Sequence, residues 1–291
     1  MIVLSLFDGV SCGKVALERA GITVNKYYTS EIDKNAEKIS IDNHKDMVRL
    51  GNIENWREWD IEQPDMIIGG SPCQGFSTAG MGLNFNDPRS KLFFVYADIL
   101  RHYHPKYFLL ENVTMAKEYE DTISRTIGEI YPERITQSEF FDSGKLEPIK
   151  INSALVSAQN RERLYWCNWD VKQPKDKGIL LKDIVQDNVT EQGITDKLAK
   201  YIIGKKGEPK HTLCRKSKCF TAGGNSGGSH SDMDLIPFGN SWRKLTVIEV
   251  CRLQTLPDDY CKSVSKSKAY FALGNGWTVD VIAHIFKGIN T

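Results

Sequence analysis

Short apolar runs alternate with polar turns through the first half of the chain. Ile2 to Phe7 reads as a buried strand, interrupted by Asp8-Gly9-Val10-Ser11-Cys12-Gly13. Helical spacing follows from Lys14 to Ala20 and is closed by Gly21. Tyr27 to Glu31 predicts a second strand, Asp33 to Asn43 a helix, and Met66 to Gly69 a third strand. Lys91 to Tyr103 is an amphipathic helix, and Tyr107 to Leu110 is a strand ending at Glu111. Strands alternating with helices imply a parallel sheet covered on both faces. In such a sheet, ligands bind beyond the carboxyl ends of the strands. The loops carrying Asp8, Glu31, Cys73 and Glu111 all follow strands, so they are expected to converge on one edge.

The texture changes after Tyr165-Trp166. From Val171 to Asn240 the chain is rich in Lys, Gly, Ser and Asp, and Ala222 to His230 reads as loop. Helical spacing returns from Leu245 to Leu253 and again from Val279 to Phe286. The pattern predicts a large domain over 1–170, a small one over 171–240, and a return to the first over 241–291. A length of 291 residues suits that division.

The net charge of +1 neither supports nor excludes a nucleic-acid partner, because a local basic cleft is enough. Seven irregularly spaced cysteines include no CxxC pair, so no zinc site is expected. They read as free thiols of a reducing, cytoplasmic compartment. The first residues lack the basic region of a signal peptide, and no apolar stretch is long enough to cross a bilayer.

Five places carry candidate chemistry. In the turn from Phe7 to Gly13, glycines allow a ligand to approach backbone amides at a helix N-terminus. Glu31 ends the second strand, where a carboxylate can accept from both hydroxyls of a ribose. A solvated surface acid is the alternative. Cys73 follows Pro72 and precedes Gln74-Gly75, a setting for a shaped loop and a nucleophilic thiolate rather than a packed, inert thiol. Glu111, after four apolar residues, is partly desolvated and suits a proton donor or a partner for a ring nitrogen. The same stretch also reads as a helix N-cap region, with Asn112 or Thr114 as the cap. Arg161 and Arg163 alternate at strand period and share a face. On an edge strand facing a cleft they would bind phosphate or a base carbonyl. On spacing alone, a surface ion pair with Glu162 or a neighbour is the simpler reading.

Taken in order, these features resemble the motifs of the DNA cytosine-C5 methyltransferase family. Phe7 to Gly13 resembles its first cofactor motif, and Glu31 its ribose-binding acid. Gly51-Asn52-Ile53 stands where the family has Gly-Asp-Ile. Ser71-Pro72-Cys73-Gln74 resembles the nucleophile motif, Glu111-Asn112-Val113 the catalytic-acid motif, and Gln159 to Arg163 the paired-arginine motif. Arg243 to Thr246, with Glu249 and Arg252-Leu253-Gln254, resembles the framework motif. Leu273 to Val279 resembles the last motif, which folds back onto the cofactor. Phe7-Asp8-Gly9, Val156-Ser157-Ala158 and Gly276-Trp277 are closer to the animal de novo branch, in what is expected to be a prokaryotic or phage member.

The resemblance implies an α/β, Rossmann-like S-adenosylmethionine-dependent methyltransferase sheet with a small target-recognition domain. It implies double-stranded DNA as partner, with the cytosine flipped out of the stack. Cys73 would attack C6, Glu111 would stabilise the protonated N3, and Arg163, with Arg161 in the same motif, would hold the base carbonyl. C5 would then take the methyl group, and Cys73 would leave by elimination. The implied cofactor pocket comprises Phe7, Asp8, Gly9 and Cys12, then Glu31 and Ile32, Asn52 and Ile53, Pro72, Leu92, and finally Asn275, Gly276 and Trp277. Asn52 in place of aspartate implies weaker cofactor binding. Asp87 to Leu92 lacks the glycine usual in that motif. Asp280 replaces a proline, with little chemical consequence expected.

Lys205, Lys206, Lys210, Arg215, Lys216 and Lys218 suit phosphate contacts, although any one of them fits a solvated face equally well. So short a recognition segment implies assembly along DNA, as a homo-oligomer, or a short target. Three rival readings stand beside this one. Cys219-Phe220-Thr221 resembles a tripeptide of the tRNA-modifying branch. A non-catalytic DNA-binding homologue is disfavoured by the intact Cys73, Glu111 and Arg163. A nucleotide-dependent dehydrogenase leaves Cys73 and the arginines unexplained.

Overall fold

The computed structural model of the chain describes residues 1–72, 88–135, 144–189, 212–223, 234–239 and 241–290. Seven strands form one sheet: β1 (Ile2–Leu6), β2 (Lys26–Ser30), β3 (Val48–Arg49), β4 (Met66–Gly69), β5 (Tyr107–Val113), β6 (Ile149–Asn152) and β7 (Glu162–Cys167). Their order is β3-β2-β1-β4-β5-β7-β6. The expected all-parallel sheet is mixed, because β7 runs antiparallel to both of its neighbours. The chain from Asn152 to Glu162 is too short for the crossover of roughly a dozen residues that a parallel pair requires.

Helices cover both faces, and the sheet's side chains alternate between them. Val3, Met66, Ile68 and Leu109 face one core, built with α1 (Cys12–Arg19), α2 (Lys34–Asn43), α5 (Val247–Leu253), α6 (Lys266–Asn275) and α7 (Val279–Lys287). Leu4, Leu6, Ile67, Phe108 and Leu110 face the other, built with α3 (Pro88–Tyr103) and α4 (Lys117–Ile130). The last three helices therefore complete a face begun by the first two. Leu181 and Ile184 insert into that same core, so the segment after Trp169 stays close to the sheet. A separate two-stranded sheet, β8 (Leu235–Phe238) with β9 (Ser241–Lys244), straddles the boundary expected at residue 240.

Two local readings change. β5 continues to Val113, so Glu111 and Asn112 lie inside a strand, and the N-cap of α4 is Ala116. α5 begins at Val247, after Thr246, whose hydroxyl accepts from the Glu249 amide while the Glu249 carboxylate accepts from the Thr246 amide. No helix among the described residues is long and apolar enough to cross a membrane.

Candidate active site

Strand register brings the candidate residues into one row. Leu6 is level with Ser30 and Gly69, and Gly69 with Leu110. The residues that follow, Phe7, Glu31, Gly70 and Glu111, therefore line the carboxyl edge of four adjacent strands. Thr29 is level with Arg49, which extends the row to Gly51. Three of the four expected positions, Asp8, Glu31 and Glu111, lie on or next to this row, and Cys73 lies outside the described residues.

The cofactor-side loop is tightly wound. Phe7, Gly9 and Ser11 all take left-handed backbone, with φ of 56°, 57° and 62°. Such backbone is costly for a bulky residue such as Phe7, and strain of this kind gathers at functional sites. Asp8 holds the loop from inside by accepting from the hydroxyls of Ser5, Ser11 and Tyr27. Glu31 accepts from the Gly9 amide at 2.7 Å through one oxygen, and from the Ile32 and Asp33 amides at 2.8 and 2.7 Å through the other. A carboxylate offers about four acceptor positions, so room for roughly one further donor remains, not the two expected for both ribose hydroxyls. Burial and the nearby Asp8 charge push the Glu31 carboxyl above its ordinary value, although the three amides oppose this.

Ile32 leaves 72% of its surface open beside this acid. Asn52 accepts from the Glu54 amide at 3.1 Å and so caps a short 3₁₀ turn, while Ile53 is buried in the core beneath. Cys12 is also buried, and burial pushes its thiol up to about 12, so its side chain serves packing. Pro72 and Leu92 are half-buried, Asn275 is exposed, and Gly276 caps α6.

Between β7 and β5, Arg163 Nε forms an ion pair with Glu111 Oε1 at 3.1 Å, with both side chains nearly buried. Burial pulls the guanidinium down, but Glu111, Cys219 and Tyr165 together outweigh it and hold the group above its ordinary value. The other carboxylate oxygen, Oε2, accepts from Trp277 Nε1 at 3.0 Å. Next to it, Asn112 Nδ2 donates to the carbonyl of Ser71 at 3.3 Å and to its hydroxyl at 3.2 Å. Asn112 therefore anchors the start of the loop that leads into Cys73, rather than capping a helix.

The two arginines separate. Neither makes a surface ion pair, and neither is on an edge strand, since β6 lies outside β7. Arg161 precedes β7, and its guanidinium donates to the carbonyls of Phe220 (2.9 Å), Gly274 (3.1 Å) and Gly276 (2.9 Å). It is a buried tie between the segment around Phe220 and the end of α6. Cys219 Sγ lies 3.4 Å from Arg161 Nη1 and 4.0 Å from Arg163 Nη2. Of the basic cluster, Arg215 pairs with Asp234 at 2.6 Å and Lys216 donates to the carbonyls of Ala154 and Ser157. Only Lys218 of the described members is exposed; Lys205, Lys206 and Lys210 lie outside the described residues.

Spacing missed a buried polar network behind the site. Gln159 donates to Gln254, Thr278 donates to the same Gln254 oxygen, and Ser153 donates to Thr278. Gln159 also accepts from the Phe220 amide. Its members sit at helix ends and in short turns, where polar residues are ordinary, so nothing in the sequence names them as partners.

The chain is similar to known proteins over nearly its whole length. A family model described as C-5 cytosine-specific DNA methylase matches residues 1–216 and 186–291. The chain is 30% identical to the type II methyltransferase M1.ScrFI of Lactococcus lactis subsp. cremoris, covering 96% of this chain and 75% of the relative. It is 30% identical to M.NlaX of Neisseria lactamica, covering 97% and 94%. Among solved structures, the Entamoeba histolytica methyltransferase EhMeth superposes with a TM-score of 0.75 at 20% identity, over 99% of this chain and 97% of that one. The Dnmt2 methyltransferase of S. pombe superposes at 0.73 and 18% identity, over 99% and 97%.

Proposed function

Because this chain belongs to the C-5 cytosine-specific DNA methylase family, we propose that it transfers a methyl group from S-adenosylmethionine to C5 of a cytosine flipped out of duplex DNA. The observation that carries the reading is the buried Arg163–Glu111 pair, set one strand from the loop that leads to Cys73. The residues present fit the cofactor. Ile32 offers an open apolar face for a base, Glu31 has acceptor capacity left for a ribose hydroxyl, and Gly51 and Asn52 continue the same row. When bound, the cofactor supplies an activated methyl group.

In this reading Cys73 adds to C6 and makes C5 nucleophilic. Glu111 gives a proton to N3 as the ring becomes electron-rich, and Arg163 keeps that carboxyl oriented while its remaining donors reach the base carbonyl. Asn112 keeps the nucleophile loop in register with the acid. A base then takes the C5 proton, the C6–S bond breaks to release the Cys73 thiolate, and N3 returns its proton to Glu111, which completes the cycle. Residues 171–240 serve as the target-recognition region, with Lys218 as a phosphate contact, and their small size favours assembly along DNA or a short target.

Transfer RNA is the second reading, favoured by the position of Cys219-Phe220-Thr221 against both arginines. Bisulfite sequencing decides between them. Unmethylated plasmid and tRNA are each incubated with protein and S-adenosylmethionine, beside Cys73→Ala. Methylcytosine in plasmid DNA in a defined context, lost in the variant, is the expected result. Methylation of tRNA above that of DNA reverses the order, and none in either sample overturns the catalytic reading.

A further inference from the structure

Glu111 is gripped from two sides, and only one grip comes from the paired-arginine motif. The other is Trp277, whose Nε1 donates to Oε2 at 3.0 Å across 166 residues of sequence. This hydrogen bond passes directly over Gly70. A Cβ added there would lie 2.8 Å from Glu111 Oε2 and 3.0 Å from Trp277 Nε1, so any larger residue would wedge the pair apart. The far edge of the same indole reaches the cofactor loop, where a Cβ on Gly13 would sit 3.5 Å from Trp277 Cζ3. One ring thus spans from the start of α1 to the candidate catalytic acid. Its neighbours on both sides are glycines, at places where the chain admits no side chain.

We propose that Trp277 is a positioning residue for proton transfer: its N–H fixes the Glu111 carboxylate and shares the negative charge left there when N3 is protonated. This rests on the methyltransferase reading of the site. Arg163 Nε on Oε1 and Trp277 Nε1 on Oε2 together set the plane of the carboxylate, leaving its free lone pairs to face the base. Among the described residues, the other charged or titratable groups around this carboxylate are Arg161 and Tyr165, with Cys219 beyond the Arg163 guanidinium. None of these three supplies a donor to Oε2.

The test is Trp277→Phe, which keeps an aromatic ring over Gly13 and removes the donor. A hydrogen bond to a charged group supports a fall in kcat of roughly tenfold or more. The dissociation constant for S-adenosylmethionine, measured by calorimetry, should stay within about threefold. An unchanged kcat, or a loss confined to cofactor affinity, overturns the proposal.

A thermal-stability cycle over Trp277→Phe, Glu111→Gln and the double variant needs no substrate. Non-additive losses support the tether, and additive losses overturn it, even if the wild-type protein methylates neither nucleic acid. That last result would sink the functional reading alone.

Discussion

Glu31 and Arg161 show what single residues do here. Glu31 has three amide partners, a raised carboxyl and little spare acceptor capacity. Glu31→Gln is expected to weaken S-adenosylmethionine binding roughly tenfold, by loss of a charge-assisted hydrogen bond, as read by calorimetry. Because the wild-type carboxyl titrates above its ordinary value, its affinity should begin to fall at a higher pH than an unperturbed glutamate would give, as acid is added. The variant should lack that limb. Arg161→Lys is expected to leave at least one of three buried carbonyls unpaired, costing about 1–3 kcal/mol for each and lowering Tm by several degrees. Glu31 was legible because a strand end fixes where its side chain emerges. The role of Arg161 was not, because its partners sit 59, 113 and 115 residues away.

At the level of elements, strands and amphipathic helices with a buried face were readable to within a few residues, while short or mixed ones were not. β3 has two residues and no period to detect, and the reversal of β7 follows from the length of a connection rather than from composition. The first turn of α7 corrects another reading. Asp280 was expected to be inert, yet it pairs with Arg19 on α1 and Lys177 on the recognition segment, each at 2.8 Å, and its amide donates to Thr255. Burial alone would raise its carboxyl, but the two cations outweigh it and hold it below the ordinary value of 3.8. Its contribution to stability is therefore present above that value and lost as the pH falls through the lower, folded one. Asp280→Asn should destabilise by about 0.5–1 kcal/mol at neutral pH, given partial solvent screening. That difference should close as the protein is acidified, in thermal melts run across pH. Asp280→Pro should cost more, because it also removes the amide that Thr255 accepts.

Across the whole molecule, contacts between distant segments decide the site. Arg243 and Glu249 form a buried two-pronged pair, and Glu249 also accepts from the Gln186 amide, so the recognition segment is fastened to α5. Gly274 lets α6 pass against the backbone of Thr221 and Ala222, where a Cβ would fall 2.2 Å from the Ala222 nitrogen. Gly274→Ala should push that backbone away, costing about 1–3 kcal/mol in melts and reducing nucleic-acid binding more than cofactor binding. Family motifs made the participants legible, but not which of them touch. The two buried grips on Glu111 are translated at different times: Arg163 lies on the last strand of the seven-stranded sheet, and Trp277 follows every strand described. All seven strands of the sheet precede residue 168, while the carbonyls that hold Arg161 begin at Phe220. A nascent chain can therefore assemble its sheet long before it can orient its acid.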